Sequence, residues 1–279
     1  MVVIGDEILG GYVTDTNSPW VADRLREHGV PLTRVQVVPD DAAAIDEALQ
    51  LELARGRPRL VMTCGGIGST PDDITYEAVA ASLGRPLVEH PDIVARLEDV
   101  LEWSREQGLE VTDSFAWHLK RMARIPDGAR LLIREGGWVP AIAVDVDGGC
   151  IDGGATVIVL PGVPSELRAI VAQVVEPTFL AGRNRMPSVV ELEHAFPESA
   201  LNPVFAAVLT SYPDVKLGSY PGRPMVVRLS GTSEDVDAAS ALVRQELERL
   251  GRGTTGDRLA AAWSRRRADP TSEPSQQDV

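Results

Sequence analysis

The chain has 279 residues, 44% of them hydrophobic and 24% charged, with a net charge of −14 at pH 7. That composition belongs to a folded globular protein and excludes a disordered or fibrous one. The acidic excess argues against a nucleic-acid-coating protein, so a phosphorylated substrate would have to be held by local N–H groups, a few basic side chains or a metal ion.

In chain order, Val2 to Ile4 is a short apolar strand candidate. Ser18-Pro19 reads as an N-cap followed by a first-turn proline, opening a helix through Trp20, Val21 and Leu25 that stops at Gly29. Leu32 to Val38 reads as a second strand. Asp41 can cap a helix carrying Ile45, Ala48 and Leu49 on one face, and Leu60 to Met62 is a third strand. A helix is predicted from near Asp72 to Gly84, then two more over 91–107 and 113–124. Strands follow at Ile142 to Val146 and Val157 to Leu160, then a helix from Pro164 to Pro177. Alternating strands and helices, with short apolar strands, predict an α/β three-layer sandwich on a mostly parallel sheet over 1–182.

Residues 187–251 predict a smaller α+β domain. Its expected elements are a strand at Val189 to Glu193, a helix at Ala200 to Leu209, strands at Val215 to Ser219 and Met225 to Leu229, and a helix at Glu234 to Leu250. Residues 252–279, rich in Pro, Ser, Gln and charge at the end, are expected to form a disordered tail, with Arg265 to Arg267 as a solvated basic cluster. Two cysteines without C-x-x-C spacing, no basic apolar leader and no run of eighteen apolar residues give the expectation of a cytoplasmic protein that does not span a membrane. The four histidines, His28, His90, His118 and His194, lack ligand spacing.

The segment Thr63-Cys64-Gly65-Gly66-Ile67-Gly68-Ser69-Thr70-Pro71-Asp72-Asp73-Ile74-Thr75 follows a buried strand and leads into a helix. Its glycines let a ligand approach the backbone, and the helix start offers unpaired N–H groups to an anion. It matches neither G-x-G-x-x-G nor the P-loop. Adjacent aspartates repel phosphate unless a cation lies between, so Asp72 and Asp73 suggest a divalent metal such as magnesium. Cys64 has no histidine near it in sequence; a small residue at a buried strand end is the plainer reading than a nucleophile.

These motifs, with Ile4-Gly5-Asp6-Glu7-Ile8-Leu9-Gly10-Gly11, Asp15-Thr16-Asn17-Ser18, Val38-Pro39-Asp40-Asp41, Leu160-Pro161-Gly162-Val163-Pro164-Ser165-Glu166 and Leu217-Gly218-Ser219-Tyr220-Pro221, resemble the molybdopterin-binding (MoCF) domain family. The resemblance covers about residues 1–251 and is closest to the competence/damage-inducible protein A (CinA) group, and it extends to the corresponding half of FAD synthases. It implies a metal-dependent pyrophosphatase acting on ADP-ribose or FAD, or else a molybdopterin-binding or adenylyl-transferring protein; a non-catalytic nucleotide-binding module stands as a third reading. It assigns Gly65, Gly66, Gly68, Ser69, Thr70, Thr75, Lys120 and Gly162 to nucleotide or phosphate binding, Asp40, Asp73 and Glu7 to catalysis, and Asp72 with Asp73 to the metal. Molybdopterin is then an alternative ligand, and the expected partners are a small nucleotide or pterin and a second copy of the chain, with no nucleic acid and no membrane. Cys64 and the stretch Gly136-Gly137-Trp138-Val139-Pro140 depart from the group's pattern. Full-length CinA proteins add an amidase domain that this length leads one not to expect.

Overall fold

The computed structural model describes residues 1–134, 141–182, 187–222 and 224–252. The chain divides into two compact units, Met1–Arg185 and Met186–Val279. The expectations for Gly136 to Pro140, for the join at 183–186 and for the tail from 253 onward lie outside the described residues.

In the first unit, β1 (Val2–Ile4), β2 (Gln36–Val38), β3 (Arg59–Cys64), β6 (Arg130–Leu132), β7 (Ala141–Val146) and β8 (Ala155–Leu160) form one sheet in the order β2-β1-β3-β8-β7-β6. β1, β2, β3 and β8 pair in parallel, while β7 and β6 close one side antiparallel. The sheet separates two cores, which is why its central strands carry apolar residues on both faces. Val2, Ile4, Val61, Val157 and Val159 face one side, with Ile45 and Leu49 of α3 (Ala42–Leu53), Val79 of α4 (Thr75–Ser82), Leu97 of α5 (Pro91–Glu106) and Leu119 of α6 (Asp113–Arg121). Val3, Met62, Cys64, Ile158 and Leu160 face the other, with Val21 and Leu25 of α2 (Asn17–Glu27) and Leu167 and Ile170 of α7 (Pro164–Ile170). This is the expected three-layer α/β sandwich. α1 is a single turn, Asp6–Leu9, directly after β1.

Several local expectations are corrected. The second strand shrinks to Gln36–Val38. The predicted helix over 113–124 ends at Arg121, and β5 (Arg124–Pro126) pairs with β4 (Leu87–Glu89) as a separate two-stranded ribbon. Too few apolar residues alternate in three-residue strands for a period to be read. α2 starts at Asn17, and its first turn is held by Asp15 Oδ1, which accepts from the N–H groups of Asn17 (2.9 Å) and Ser18 (3.0 Å); Ser18 is therefore inside the helix, not its cap. Asp41 does cap α3, accepting from the N–H groups of Ala43 and Ala44. The helix from Pro164 runs past Pro177 to Leu180 by changing to π turns over Val171–Leu180. Proline crowds the preceding turn, and a wider turn gives its ring room.

Glu52, at the end of α3, is 3% exposed and lies among Arg59 Nη2, Arg55 Nε (3.4 Å), Arg34 Nε (3.6 Å) and Gln36 Nε2 (3.3 Å). The cluster ties α3 to β2 and β3. Removing a buried, paired carboxylate strands its partners, so Glu52→Ala is expected to lower stability by about 3 kcal/mol, read from urea midpoints at pH 7.

In the second unit, β9 (Ser188–His194), α8 (Glu198–Ser211), β10 (Lys216–Tyr220), β11 (Met225–Gly231) and α9 (Ser233–Gly251) follow in that order. The strands form an antiparallel sheet, β10-β11-β9. Leu192, Val227 and Leu229 meet Leu201, Val208, Val236 and Val243 in one core. Among the described residues, no helix is long and apolar enough to cross a membrane.

Candidate functional site at the strand ends

The segments after β1, β2, β3 and β8 leave the parallel part of the sheet at the same edge, where open α/β sheets bind ligands. Gly65 and Gly66 turn the chain at the end of β3 with φ of +104° and +64°. Packing also demands glycine there. A Cβ on Gly65 would run into the Ile4 carbonyl oxygen, and one on Gly66 would run into Thr75 Oγ1 and lie 3.3 Å from Asp40 Oδ1. The Asp40 carboxylate therefore rests against Gly66. Gly162, after β8, packs on Gly65, where a Cβ would lie 3.3 Å from the Gly65 Cα.

Thr75, fully buried at the start of α4, closes the loop. Its N–H donates to Gly66 O (2.9 Å) and its hydroxyl to Gly65 O (2.9 Å). Asp73 closes an inner turn: its Oδ2 accepts from the Thr70 N–H (2.8 Å) and the Thr70 hydroxyl (2.6 Å), while its own N–H donates to Thr70 O. These links, with Pro71 between, keep 70–73 a turn, so α4 begins at Thr75 with Ile74 as its N-cap. Asp72 is thus exposed in the turn, and the helix predicted from near Asp72 starts three residues later. Gly68 lies against the Asp73 carboxylate, which a Cβ would approach to 2.6 Å. Ser69 is half-buried in the same turn. Among the described residues, the N–H groups of Gly66, Ile67, Gly68 and Ser69 have no protein acceptor.

Acidic groups gather beside this loop. Asp40 Oδ2 accepts from the Asp6 N–H (3.0 Å). The Glu7 carboxylate folds back over Gly5, where a Cβ would lie 2.6 Å from Oε1. Burial pushes the Asp40 carboxyl above its ordinary value; the Asp6 N–H opposes this, and the charges of Glu7, Asp6 and Asp72 push it further up.

Two residues of the site were not singled out by sequence reasoning. Asn17 Nδ2 donates to Gly162 O (2.8 Å) and to Cys64 Sγ (3.3 Å), fastening the start of α2 to the ends of β3 and β8. Arg121 donates to Asp73 O (2.7 Å) and pairs with Glu77 (3.3 Å). Its neighbour Lys120, the residue assigned to phosphate, instead places Nζ 3.4 Å from Glu98 on α5. Adjacent helix positions point about 100° apart, so one of the two basic residues had to turn away; sequence does not say which. Asp15 and Asn17 stood in a quoted motif, but only the fold reveals a cap and a clamp.

Cys64 is buried, and its thiol is pushed up to about 11, first by burial, against the Asn17 amide. It is therefore no thiolate nucleophile at neutral pH. Iodoacetamide at pH 8 is expected to leave Cys64 unmodified in the native protein and to alkylate it in 6 M guanidinium, as read by mass spectrometry.

Among the described residues, no three His, Cys, Asp or Glu side chains are gathered into a metal cage. The hard oxygen donors of Glu7 and Asp72 do fit magnesium's other habit, one or two carboxylates completed by substrate phosphate. Asp73 is committed to Thr70 through Oδ2.

A mostly parallel sheet between two helical layers, with a glycine-rich loop at its strand ends, defines an α/β three-layer domain. The chain belongs to the molybdopterin-binding (MoCF) domain family, within its CinA-like group: the family described as "Probable molybdopterin binding domain" matches residues 1–181. A protein of Aeropyrum pernix is 34% identical over 262 residues, 91% of this chain and 92% of its own. A CinA-like protein of an Anaeromyxobacter species is 38% identical over 205 residues, 72% of this chain and 46% of that protein, so the match spans less than half of the longer relative. The crystal structure of CinA from Thermoplasma acidophilum, described as of unknown function, superposes with a TM-score of 0.50 at 31% identity, over 61% of this chain and 91% of that one.

Proposed function

We propose that the crevice hydrolyses the diphosphate linkage of an ADP-ribose- or FAD-type nucleotide with a divalent cation. The observation that carries this reading is the run of unbonded N–H groups at 66–69 in the loop against which the raised carboxyl of Asp40 rests. Those N–H groups suit phosphate oxygens, since they lie together in the loop at the strand ends without a protein acceptor. Asp40 has a fixed position, through the Asp6 N–H, and a raised proton affinity, which suits a base that takes a proton from water as it attacks phosphorus. The products are then AMP and a second monophosphate. Asp73 and Thr75 shape the loop, and Glu7 and Asp72 add oxygen donors beside it. A divalent cation, when bound between these carboxylates and the phosphates, would neutralise their mutual repulsion.

The family's description favours a second reading, a bound molybdopterin or its adenylylation. The experiment is a panel of FAD and ADP-ribose with magnesium, cobalt or EDTA, analysed by chromatography. Cation-dependent AMP release in water supports hydrolysis; pterin fluorescence in the purified protein without AMP release supports the second reading. If no nucleotide is turned over or shifts the melting temperature and no pterin co-purifies, both fall in favour of a catalytically silent module. A cytoplasmic homo-oligomer remains part of the proposal, with light scattering as its test for self-association.

A further inference from the structure

Resting on this reading of the crevice, we infer that Tyr12 is the platform on which the aromatic ring of the nucleotide stacks. A diphosphate gripped by backbone N–H groups leaves the ring half of such a substrate unaccounted for, and every candidate substrate carries a flat adenine, flavin or pterin. Tyr12 is 87% exposed, more than any other large hydrophobic side chain among the described residues, and Leu9 (54%) and Val13 (51%) are exposed beside it in sequence. Single exposed apolar residues are ordinary, but three within five positions, immediately after Asp6 and Glu7, are not a scatter.

The platform is joined to the crevice by a short chain of fixed contacts. The N–H groups of Tyr12 (2.9 Å) and Val13 (3.1 Å) both donate to the Glu7 carbonyl, so the loop cannot swing away from α1. The Asp6 N–H holds Asp40, and Asp40 lies against Gly66. One edge of the Tyr12 ring rests on Gly10, where a Cβ would come within 2.6 Å of Cε2, and the bulk of the ring is left to solvent. A tyrosine ring costs little rotamer entropy to hold and offers a stacking surface that tolerates different bases.

The test compares wild type, Tyr12→Ala and Tyr12→Phe in steady-state assays with FAD and ADP-ribose, and uses inorganic pyrophosphate as a ringless inhibitor. Tyr12→Ala is expected to raise KM about tenfold with kcat within twofold, Tyr12→Phe to restore it, and pyrophosphate to inhibit all three equally. Because the side chain is exposed, all three should melt together. An unchanged KM in Tyr12→Ala, with wild-type turnover intact, overturns the platform alone. Weaker pyrophosphate inhibition in that variant also overturns it, by placing Tyr12 at the phosphates. A change of oligomeric mass without a change of KM makes the ring a contact between copies and overturns it likewise. Absence of both turnover and binding in wild type overturns the reading of the crevice, and the platform with it.

Discussion

Asp40→Asn is expected to reduce kcat/KM for the diphosphate substrate by about a thousandfold, the scale of a lost general base. The same change is expected to leave melting unchanged or to raise it by about 1–3 °C at pH 7–8. The sign follows from the raised carboxyl. Between its unfolded value and its higher folded value, the folded protein binds more protons than the unfolded chain, so stability falls as pH rises through that window. Ionised Asp40 is thus a cost at neutral pH, regained as the pH drops through the folded value. Asparagine keeps an oxygen for the Asp6 N–H and removes the charge facing Glu7, Asp6 and Asp72. The stability difference between the two proteins should shrink from pH 7 toward pH 4 in urea titrations. A residue that weakens the fold and is indispensable to turnover marks a site arranged for chemistry. A variant with wild-type rates, or one markedly less stable at pH 7, contradicts this role.

Gly65→Ala is expected to be the most damaging single substitution in the loop, lowering stability by about 3 kcal/mol or more and Tm by about 6–12 °C. Two costs coincide: a φ of +104°, and a Cβ driven into the backbone carbonyl of Ile4, which the β1 ladder keeps from yielding. Gly11→Ala provides the contrast. It also has a positive φ, +71°, but nothing lies within 4 Å of its Cβ position, so only the conformational cost of about 1 kcal/mol remains. Differential scanning calorimetry of both variants separates strain from collision.

The layers of the fold could be read from residues because burial on both faces leaves a visible mark: β3 and β8 contain the apolar runs Leu60 to Met62 and Val157 to Leu160, and α3 carries Ile45, Ala48 and Leu49 on one stripe behind its Asp41 cap. Short elements left no such mark. β4, β5 and β6 have three residues each, and the π turns after Ile170 look like any apolar helix. At the crevice, glycine spacing announced the loop, and the fold then explains it through the Ile4 carbonyl, Thr75 and Asp40. What sequence does not carry is direction. That Arg121 and not Lys120 reaches the turn, and that Asn17 clamps Gly162 to Cys64, depend on contacts between segments distant in the chain. The pairing of Asp73 with Thr70 is local, yet it also turns on side-chain orientation, and it moved the start of α4 by three residues from Asp72.

The central claim is that the loop after β3 grips a diphosphate. A crystal structure of the protein with ADP-ribose and magnesium tests it most directly. The expected result is phosphate oxygens within hydrogen-bond reach of the N–H groups of 66–69, with the cation between them and the Asp40 side of the crevice. A nucleotide bound elsewhere, with those N–H groups facing only solvent, would contradict the account.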